Sequence, residues 1–361
     1  PLLLSQPAGT LVGGKEVLPF VVKALGDDSA RVRLEAVKTL SVVGSKAQTW
    51  EFARMAGDPV EEVAQTAMKG LKTVGWLAGK IREKFAGGTA QERLLAIKVA
   101  GFLGEDDLSG MVREGMKDGD GRVRKESAIA LARLGDESSG GLLVKALKEE
   151  RFDDVESAIA YALGAIKYSG GVTALGDLLQ RKPHHPYKRE IVRAIGRIGG
   201  SGTGKVLKPF LRDLNPWVRF EAVEGLAGSE TSVGEEDVKH LLADDRWLNR
   251  AGAVKAMATG GSDKSLETIV RTLEDDHPAV RATAHHGLTS WKKSSVIPAI
   301  LKQIDLLGGE GKGLALDILK RLTKEDFATT AEWNAWWAAN RGNFRLPSMN
   351  ERFQPERRRK P

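Results

Sequence analysis

A segment that recurs about every 31 residues constrains the fold of this chain more than any other feature. It is clearest from Asn215 to Leu226, where a polar helix-capping residue precedes Pro216 and a series of apolar residues spaced four apart. This pattern predicts a short helix with one buried stripe. Because such a helix cannot bury its apolar face alone, the recurrence predicts an array of stacked units.

Equivalent positions can be placed along most of the chain when Val32 is taken as an anchor. Successive anchors are separated by 29 to 32 residues. Small residues predominate four positions after the anchors, and six of the nine residues twelve positions after them are glycines, as expected where helices end in a left-handed residue. The anchors are Val32, Val63, Glu92, Val123, Val155, Tyr187, Val218, Leu248 and Val280.

Each unit consists of a helix, a tight turn, a second helix and a short loop. The repeats therefore predict an all-α fold, a right-handed α-solenoid of about ten helix–turn–helix units. Pro19 is expected in the first turn of its helix, where its missing N–H breaks no hydrogen bond. The predicted segments are an irregular stretch at residues 1–14, the repeats at 15–324 with a glycine-rich loop at 308–313, a tryptophan-rich cap at 325–346, and a basic, proline-containing tail at 347–361 that is disordered or ordered by a partner.

The motif Asp-x-x-x-Val-Arg-x-x-Ala-x-x-x-Leu is best represented at residues 28–40 and 276–288. With its period near 31 residues, it resembles HEAT-like repeats, in particular the short variety of phycobilin-lyase-type repeat proteins, over residues 15–324. Glu92 and Tyr187 depart from this pattern and predict distorted units. The segment from Leu322 to Arg341 resembles the end of some bacterial HEAT-like proteins. Its aromatic face is predicted to cover the last apolar surface and contains Trp333, Trp336 and Trp337.

Composition excludes several classes of protein. The chain has no cysteine, which rules out disulfides, thiolate metal sites and a cysteine nucleophile. No uncharged apolar run approaches the roughly 18–20 residues needed to cross a bilayer, so we expect a soluble protein. Both the cytoplasm and the periplasm fit, the latter because Pro1 and the following Leu2 to Leu4 resemble the remnant of a removed export signal.

The formal charge of +7 is concentrated at the C-terminus, since residues 345–361 contain six basic and two acidic residues. The remaining chain is too weakly basic to indicate nucleic-acid binding by charge alone. The tail is instead expected to contact an acidic surface.

No motif indicates catalysis, a cofactor or a metal. Residues 199–205 have the spacing of a phosphate-binding loop, but they follow a predicted helix rather than a strand, and Val206 replaces the Ser or Thr that binds the metal ion. None of the six histidines has the spacing of a metal site. Most aspartates are expected to cap helices, namely Asp28, Asp58, Asp154, Asp245 and Asp276.

Two columns of basic residues are candidates for partner binding. The first directly follows the anchors and contains Arg33, Arg93, Arg124, Lys188, Arg219 and Arg281. The HEAT-like resemblance implies that these residues bond the capping aspartates of neighbouring units, and the alternative is a stripe for an acidic protein, a phosphate backbone or a polymer. The second column lies six positions after the anchors and contains Lys38, Lys69, Lys98 and Arg193. The tail adds Arg357, Arg358, Arg359 and Lys360.

The sequence therefore predicts a non-enzymatic scaffold, without cofactor or metal, that binds a protein partner through the concave solenoid surface within a larger assembly. Two alternatives remain open. HEAT-like folds occur in DNA glycosylases, although no catalytic aspartate motif matches, and the phycobilin-lyase resemblance implies handling of a bilin chromophore.

Overall fold

The computed structural model describes residues 14–228 and 233–353. All regular elements in these ranges are helices, and no β-strand is present in them. The chain divides into two compact units, Pro1–Ala174 and Leu175–Pro361. Both units are built from the same kind of helix pair, and ten pairs are present in the described ranges. The predicted all-α, solenoid-type repeat architecture is confirmed.

The first unit contains five helix pairs in which a first helix of 7 to 11 residues packs against a second helix of 13 or 14 residues. A single 3-10 turn precedes three of the first helices. The pairs are α1 (Gly14–Ala24) and α2 (Ala30–Val43), α3 (Thr49–Met55) and α4 (Glu61–Val74), α5 (Ala78–Gly87) and α6 (Ala90–Leu103), α7 (Ser109–Gly115) and α8 (Gly121–Leu134), and α9 (Gly140–Glu149) and α10 (Asp153–Ala165).

The second unit repeats this pattern, and the division between the units falls within its first helix. Four of its first helices pass into 3-10 turns, one of them at Pro209. The pairs are α11 (Gly171–Arg181) and α12 (Lys188–Ile198), α13 (Thr203–Leu207) and α14 (Pro216–Ala227), α15 (Glu235–Val238) and α16 (Trp247–Gly260), α17 (Leu266–Arg271) and α18 (Pro278–Thr289), and α19 (Val296–Gln303) and α20 (Gly309–Thr323); α21 (Thr330–Asn340) and α22 (Met349–Phe353) follow. None of the helices in the described ranges has the length and apolar character that a membrane span requires.

The anchor column forms the core of the stacked pairs. Five of the predicted anchors are at most 1% exposed: Val63, Val123, Val155, Val218 and Val280. Val32 is an exception at 40% exposure, because α2 is the first of the second helices in the described ranges and no earlier one covers it. Burying a valine of this kind contributes about 1.5–3 kcal/mol, so each buried anchor stabilises the stack.

The predicted anchor Leu248 is wrong by one residue. Asn249 is fully buried at this position, whereas Leu248 is half-buried. The Asn249 amide donates to the Asp244 carboxylate at 3.0 Å and to the Pro216 carbonyl at 3.2 Å, which offsets the cost of burying a polar group. Sequence reasoning chose the apolar neighbour because it could not foresee these partners. The same shift moves the left-handed cap of α16 from Gly260 to Gly261, whose φ is 61°.

Left-handed residues end several of the second helices, as the glycine column predicts. Gly75, Gly104 and Gly135 have φ of 86°, 74° and 64°. Lys167 takes the same conformation with φ of 52° although it has a Cβ atom. Gly44 does not, since its φ is −76° and α2 ends in extended backbone.

Second helices approach each other through pairs of small residues. A Cβ atom added to Gly225 of α14 would lie 2.7 Å from the Gly196 Cα of α12. A Cβ atom added to Gly287 of α18 would lie 2.8 Å from the Ala258 Cβ of α16. In both pairs, one residue lies nine positions after its own anchor and the other lies seven positions after the next anchor. This count takes Asn249 as the anchor of α16. Small side chains at these two positions therefore set the spacing of the stack.

Two predicted backbone features are wrong. Pro19 lies inside α1 rather than in a first turn, and the lost hydrogen bond is tolerated because Pro19 is exposed. The glycine-rich segment 308–313 is not a loop, because α20 begins at Gly309. There, a Cβ atom added to Gly311 would lie 2.0 Å from the Glu274 carboxylate, so the glycines admit close packing and do not break the helix.

The capping role predicted for five aspartates is wrong in each case. Asp58 accepts a hydrogen bond from the Val60 N–H at 2.9 Å, but Val60 is the N-cap residue of α4, so Asp58 lies two positions before the cap. In place of Asp28, Asp245 and Asp276, the acceptors are the preceding residues Asp27, Asp244 and Asp275. Each accepts a hydrogen bond from the N–H of the N-cap residue two positions later. Asp154 lies within α10 and forms an ion pair with Lys125 at 3.0 Å.

The chain after the repeats packs against the last helix pairs. Trp333 of α21 is fully buried, and its ring meets Phe327 edge-on at 4.9 Å. The prediction that the whole tail from residue 347 is disordered or ordered by a partner is wrong for residues 347–353. Residues 349–353 form α22, Ser348 and Glu351 make reciprocal capping hydrogen bonds at its start, and Arg352 is only 5% exposed. Residues 354–361 lie outside the described ranges.

Candidate functional site

The first basic column forms a ladder between successive helix pairs. Each guanidinium or ammonium group donates to a carboxylate that lies 25 to 29 residues further along the chain, at the turn of the next pair. The ladder contains all six residues predicted from the sequence. The pairs and their shortest distances are Arg33–Asp58 (2.7 Å), Arg93–Asp118 (2.6 Å), Arg124–Glu150 (2.8 Å), Lys188–Asp213 (2.9 Å), Arg219–Asp244 (2.7 Å), Arg250–Asp275 (2.8 Å) and Arg281–Glu310 (2.6 Å).

Most ladder arginines also bind the turn of their own pair. Arg219, for example, donates from Nη1 to the Asp213 carbonyl at 2.8 Å, while its Nε reaches Asp244 of the next pair. The acceptor carboxylate is held in turn by the backbone, because Asp244 accepts from the Arg246 N–H at 3.0 Å. One side chain thus fixes two consecutive turns. The ladder that the HEAT-like resemblance implies is present.

The ladder lowers the pKa of acceptor carboxylates such as Asp58 and Asp118. The hydrogen bonds from Arg33 hold the pKa of Asp58 below its ordinary value of 3.8, and those from Arg93 do the same for the pKa of Asp118. The Arg250 side chain is 12% exposed and that of Asp275 is 11% exposed. Most N–H groups of these guanidinium side chains therefore donate to carboxylates and carbonyls of the protein rather than to solvent.

Two residues of the second basic column, Lys69 and Lys98, line a groove between second helices. In the first unit, a groove of about 660 Å³ lies between α4 and α6, and its rim carries Lys69, Lys98 and Arg133. Phe102, Met68 and Gly101 provide an apolar floor. The Lys98 ammonium group is held toward the groove by a hydrogen bond to the Ala56 carbonyl at 2.9 Å.

This groove lies at a predicted irregularity. Glu92 occupies the anchor position of α6 but completes a capping box with Thr89 instead of packing in the core. Helices α4 and α6 touch less extensively than most other neighbouring second helices of this unit. The groove opens where this contact is reduced. At the second predicted irregularity, Tyr187 precedes α12 and is 37% exposed.

A second groove, of about 750 Å³, lies in the second unit between α16 and α18. We call it the α16–α18 groove. Lys255 and His286 occupy positions of its wall that correspond to Lys69 and Lys98 in the first unit, six residues after their anchors. Lys292 and Lys293 follow α18 and lie at one end. Sequence reasoning missed Lys255 because the one-residue error at Leu248 placed buried Val254 in this column.

The remaining predicted site residues are distributed as follows. Lys38 is exposed and paired with Glu35 at 2.8 Å. Arg193 and Arg189 both donate to the buried Glu221 carboxylate, and the Arg189 Nε lies 3.0 Å from its Oε1. The tail residues Arg357, Arg358, Arg359 and Lys360 lie outside the described residues.

The segment that resembles a phosphate-binding loop follows a helix, as predicted. Residues 199–205 come directly after α12, and α13 begins at Thr203. Gly199 and Gly200 have φ of 69° and 85°, which serves the turn between the two helices. The segment thus joins the second helix of one pair to the first helix of the next.

An aromatic and cationic row lies along the N-terminal ends of the second helices in the second unit. The Arg189 and Arg246 guanidinium groups lie 4.7 and 5.2 Å from the Trp217 ring centroid. Trp247 and His277 stack with centroids 4.3 Å apart and an angle of 3° between the rings. These contacts satisfy the aromatic faces within the protein, so the row joins neighbouring pairs in addition to the ladder.

Comparison with known proteins agrees with this arrangement. The sequence matches family models for HEAT repeats over residues 17–47, 85–164 and 235–306, which together make up about half of the chain. The fold and the ladder define an all-α repeat protein of the solenoid class. The chain belongs to the HEAT-repeat family. The finer resemblance to the phycobilin-lyase-type variety stays a prediction.

Several solved structures are similar to this chain at low sequence identity. The crystal structure of an engineered protein is 18% identical, covers 90% of this chain and 98% of its own, and has a TM-score of 0.51. A chain from a structure of Kap95p binding to RanGDP is 14% identical (TM-score 0.43, covering 91% of this chain and 47% of that one), and Kap121p is 11% identical (TM-score 0.48, 84% and 41%). No curated protein matches the sequence.

Proposed function

We propose that this HEAT-repeat protein is a non-enzymatic scaffold that binds a protein partner along the exposed face of its second helices. The observation that carries the proposal is the construction of the two grooves. Both lie between second helices, have floors of small or apolar residues, and carry basic side chains on their walls. Repetition of one helix pair thereby offers extended contact area without a deep pocket.

The two basic columns have different roles in this proposal. Ladder residues such as Arg219 and Arg250 already donate to carboxylates and carbonyls of the protein, so binding a partner there would require breaking internal bonds. Lys69 has no ion pair within the described residues, and the side chain of Lys255 is 50% exposed. We therefore assign partner contacts to the groove residues six positions after the anchors, such as Lys69 and Lys255, and a stabilising role to the ladder and to Arg193.

A protein partner suits the grooves better than a nucleic acid. Carboxylates stand beside the cations, with Glu61 in the first groove and Glu224 bonded to Lys255 at 2.7 Å at the second. These acidic groups would repel a phosphate backbone. An apolar floor such as that of Met68 and Phe102 is suited to side chains of a polypeptide.

The test is crosslinking of the tagged full-length chain to its partners, followed by mapping of the crosslinked residues. Contacts are expected on the second-helix face, and the combined variant Lys69→Glu and Arg133→Glu is expected to reduce partner capture. The matched control is Lys145→Glu with Lys148→Glu, since both lysines are exposed on the first helix α9. Crosslinks confined to first helices, or equal loss of capture in both double variants, would contradict the proposal. So would excision of alkylated bases from DNA or transfer of a bilin by the purified protein.

A further inference from the structure

We infer that the α4–α6 groove, whose rim carries Lys69, Lys98 and Arg133, docks an acidic segment of a partner protein that inserts a bulky apolar side chain between the two helices. The inference rests on the proposed function and adds the chemistry of the bound segment and its place in the first unit. It follows from the way in which the step from α4 to α6 differs from the steps on either side of it.

The contact between small residues that joins other second helices is replaced at this step. Gly101 of α6 and Ala130 of α8 show the usual arrangement, since a Cβ atom added to Gly101 would lie 2.7 Å from the Ala130 Cβ. At the equivalent positions between α4 and α6, the chain has Lys72, nine residues after its anchor, and Val99, seven residues after the next anchor. These larger side chains keep the two helices from approaching closely, so a groove opens between them.

The ladder is interrupted at the same step. The residue that directly follows the anchor of α4 is Ala64, whose methyl group cannot bond the next turn. At the equivalent positions of α2 and α6, Arg33 and Arg93 bond Asp58 and Asp118. The α16–α18 groove, in contrast, keeps both its small-residue contact and its ladder bond. The α4–α6 step is therefore joined by fewer contacts than its neighbours in the first unit.

The resulting groove has the size and lining of a binding site. Its volume is about 660 Å³, within the range of about 300–1,000 Å³ that is typical of ligand pockets. Met68 and Phe102 supply an apolar floor, and Ala64 leaves space where a ladder arginine would otherwise lie. The Lys72 ammonium group lies 4.6 Å from the Phe102 ring centroid and holds the ring beside the groove. The space admits a bulky apolar side chain such as leucine or phenylalanine.

Positive charge exceeds negative charge around this floor. Lys69 and Arg133 are exposed on the rim, whereas Glu61 is the one carboxylate among the described residues that line the groove. Neither Lys69 nor Lys72 forms an ion pair within residues 14–228 and 233–353. Arg133 lies 3.5 Å from Glu126, and its side chain is 49% exposed. Carboxylates on both sides of an inserted apolar residue would therefore meet complementary charge.

Lys98 adds a cation whose position is fixed. Its ammonium group donates to the carbonyl of Ala56 at 2.9 Å, and Ala56 directly follows α3. An ammonium group has three N–H donors, of which this carbonyl accepts one. A ligand carboxylate that binds Lys98 and Lys69 together would connect α6 to α4 across the groove. The ligand would thus supply the link that Ala64 does not provide.

The test measures binding of a fluorescein-labelled peptide of alternating Glu and Leu residues to the full-length protein by fluorescence anisotropy. Saturable, salt-sensitive binding is expected. Peptides with Gln in place of Glu, or with Ser in place of Leu, should each bind about tenfold or more weakly, because the groove offers both charge and apolar surface. Retained affinity of either substituted peptide would overturn the inference.

A charge variant tests the rim of the groove. Lys69→Glu with Arg133→Glu should weaken binding of the Glu and Leu peptide by about tenfold or more. Lys145→Glu with Lys148→Glu makes the same charge change at exposed positions of α9 and should leave affinity within about twofold. Equal loss in both double variants would mean that net charge alone attracts the peptide, which refutes docking in the groove.

A filling variant tests the floor without a change of charge. Ala64→Trp occupies the groove and should also weaken binding by about tenfold or more, while circular dichroism confirms an intact fold. Ala86→Trp, at an exposed position of α5, makes the same substitution away from the groove and should leave affinity within about twofold. Full affinity of the Ala64 variant would place the peptide outside the groove and overturn the inference.

Hydrogen exchange of the unaltered protein decides the matter even where a variant fails to fold. Bound peptide should slow exchange of residues 61–74 and 90–103, the two helices that it connects. Unchanged exchange there would overturn the inference, and tighter binding of single-stranded DNA with the same variant dependence would replace the acidic polypeptide by nucleic acid. If the peptide does not bind but partner crosslinks lie on the second-helix face, the acidic ligand is refuted and the proposed scaffold stands. Crosslinks confined to first helices would refute both.

Discussion

Arg250 and Asp275 belong to successive helix pairs and meet through two parallel hydrogen bonds, Nε to Oδ2 at 2.8 Å and Nη2 to Oδ1 at 2.9 Å. Arg250 also donates to the Asp244 carbonyl of its own turn at 2.9 Å. The side chain therefore couples the orientation of one turn to that of the next. The same arrangement recurs along the chain, so the ladder acts on the spacing of pairs rather than on any single helix.

Replacement of Arg250 by Gln should lower the free energy of unfolding by about 1–3 kcal/mol, because the mostly buried Asp275 carboxylate loses a charged donor. Urea denaturation followed by circular dichroism measures this change. Lys239→Gln serves as the control, since its pair with Glu236 is within one exposed turn and should leave the midpoint unchanged. A similar small effect of both substitutions would show that the ladder does not contribute to stability.

Stability should decline at acidic pH. The pKa values of Asp58 and Asp118 lie below the ordinary 3.8 because of hydrogen bonds from Arg33 and Arg93. A carboxylate with a lowered folded-state pKa stabilises the fold above its unfolded pKa, and this contribution is lost as pH falls through the folded value. Urea midpoints should therefore be level near neutral pH and fall below about pH 4. The Asp118→Asn variant should show a shallower fall, and an unchanged slope would argue against this origin.

Substitution of Gly225 by Val should destabilise the second unit by about 1–3 kcal/mol or more, because the added atoms meet the Gly196 backbone. Thermal denaturation of the two-unit protein, with tryptophan fluorescence as the probe, measures the change. Gly313→Ala is the matched control within the same unit. No atom outside its own helix lies within 4 Å of a Cβ atom at Gly313, so this change should raise stability by about 0.5–1 kcal/mol through helix propensity.

Replacement of Arg352 by Met should release α22 from the end of α18. The carbonyl groups of Thr289 and Trp291 then lose their donor while apolar packing volume is kept. Hydrogen exchange of residues 349–353 should accelerate, with little change in the helices of the first unit. Arg345→Met, at an exposed position, provides the comparison. Unchanged exchange in the Arg352 variant would mean that other contacts hold the segment.

The period of the repeats determined most of what could be predicted. It located the second helices, the buried anchors and the basic residues of the ladder, because each depends on a spacing within one helix or between equivalent helices. The error at Leu248 arose where the rule that apolar residues are buried failed. Asn249 can replace an apolar anchor because its amide donates hydrogen bonds to the Asp244 carboxylate and the Pro216 carbonyl. Such partners come together only in the packed structure.

The grooves and the chain end were beyond sequence reasoning for a different reason. Their residues are far apart in the sequence and come together only through packing, as Arg352 does with Thr289 and Trp291. One local signal was available for α22. Ser348 and Glu351 have the spacing of a capping box, which could have predicted a helix in a segment otherwise expected to be disordered.

The regular spacing of the ladder has a consequence for how the chain can change length during evolution. Arg219 and Arg250 each bond an aspartate 25 residues ahead, Asp244 and Asp275. Excision of the intervening segment 220–250 would place Arg219 at the same distance from Asp275, so the link would form again with a new partner. Unequal crossing-over between such segments can thus add or delete a whole helix pair. Every remaining turn then keeps its arginine–aspartate hydrogen bonds.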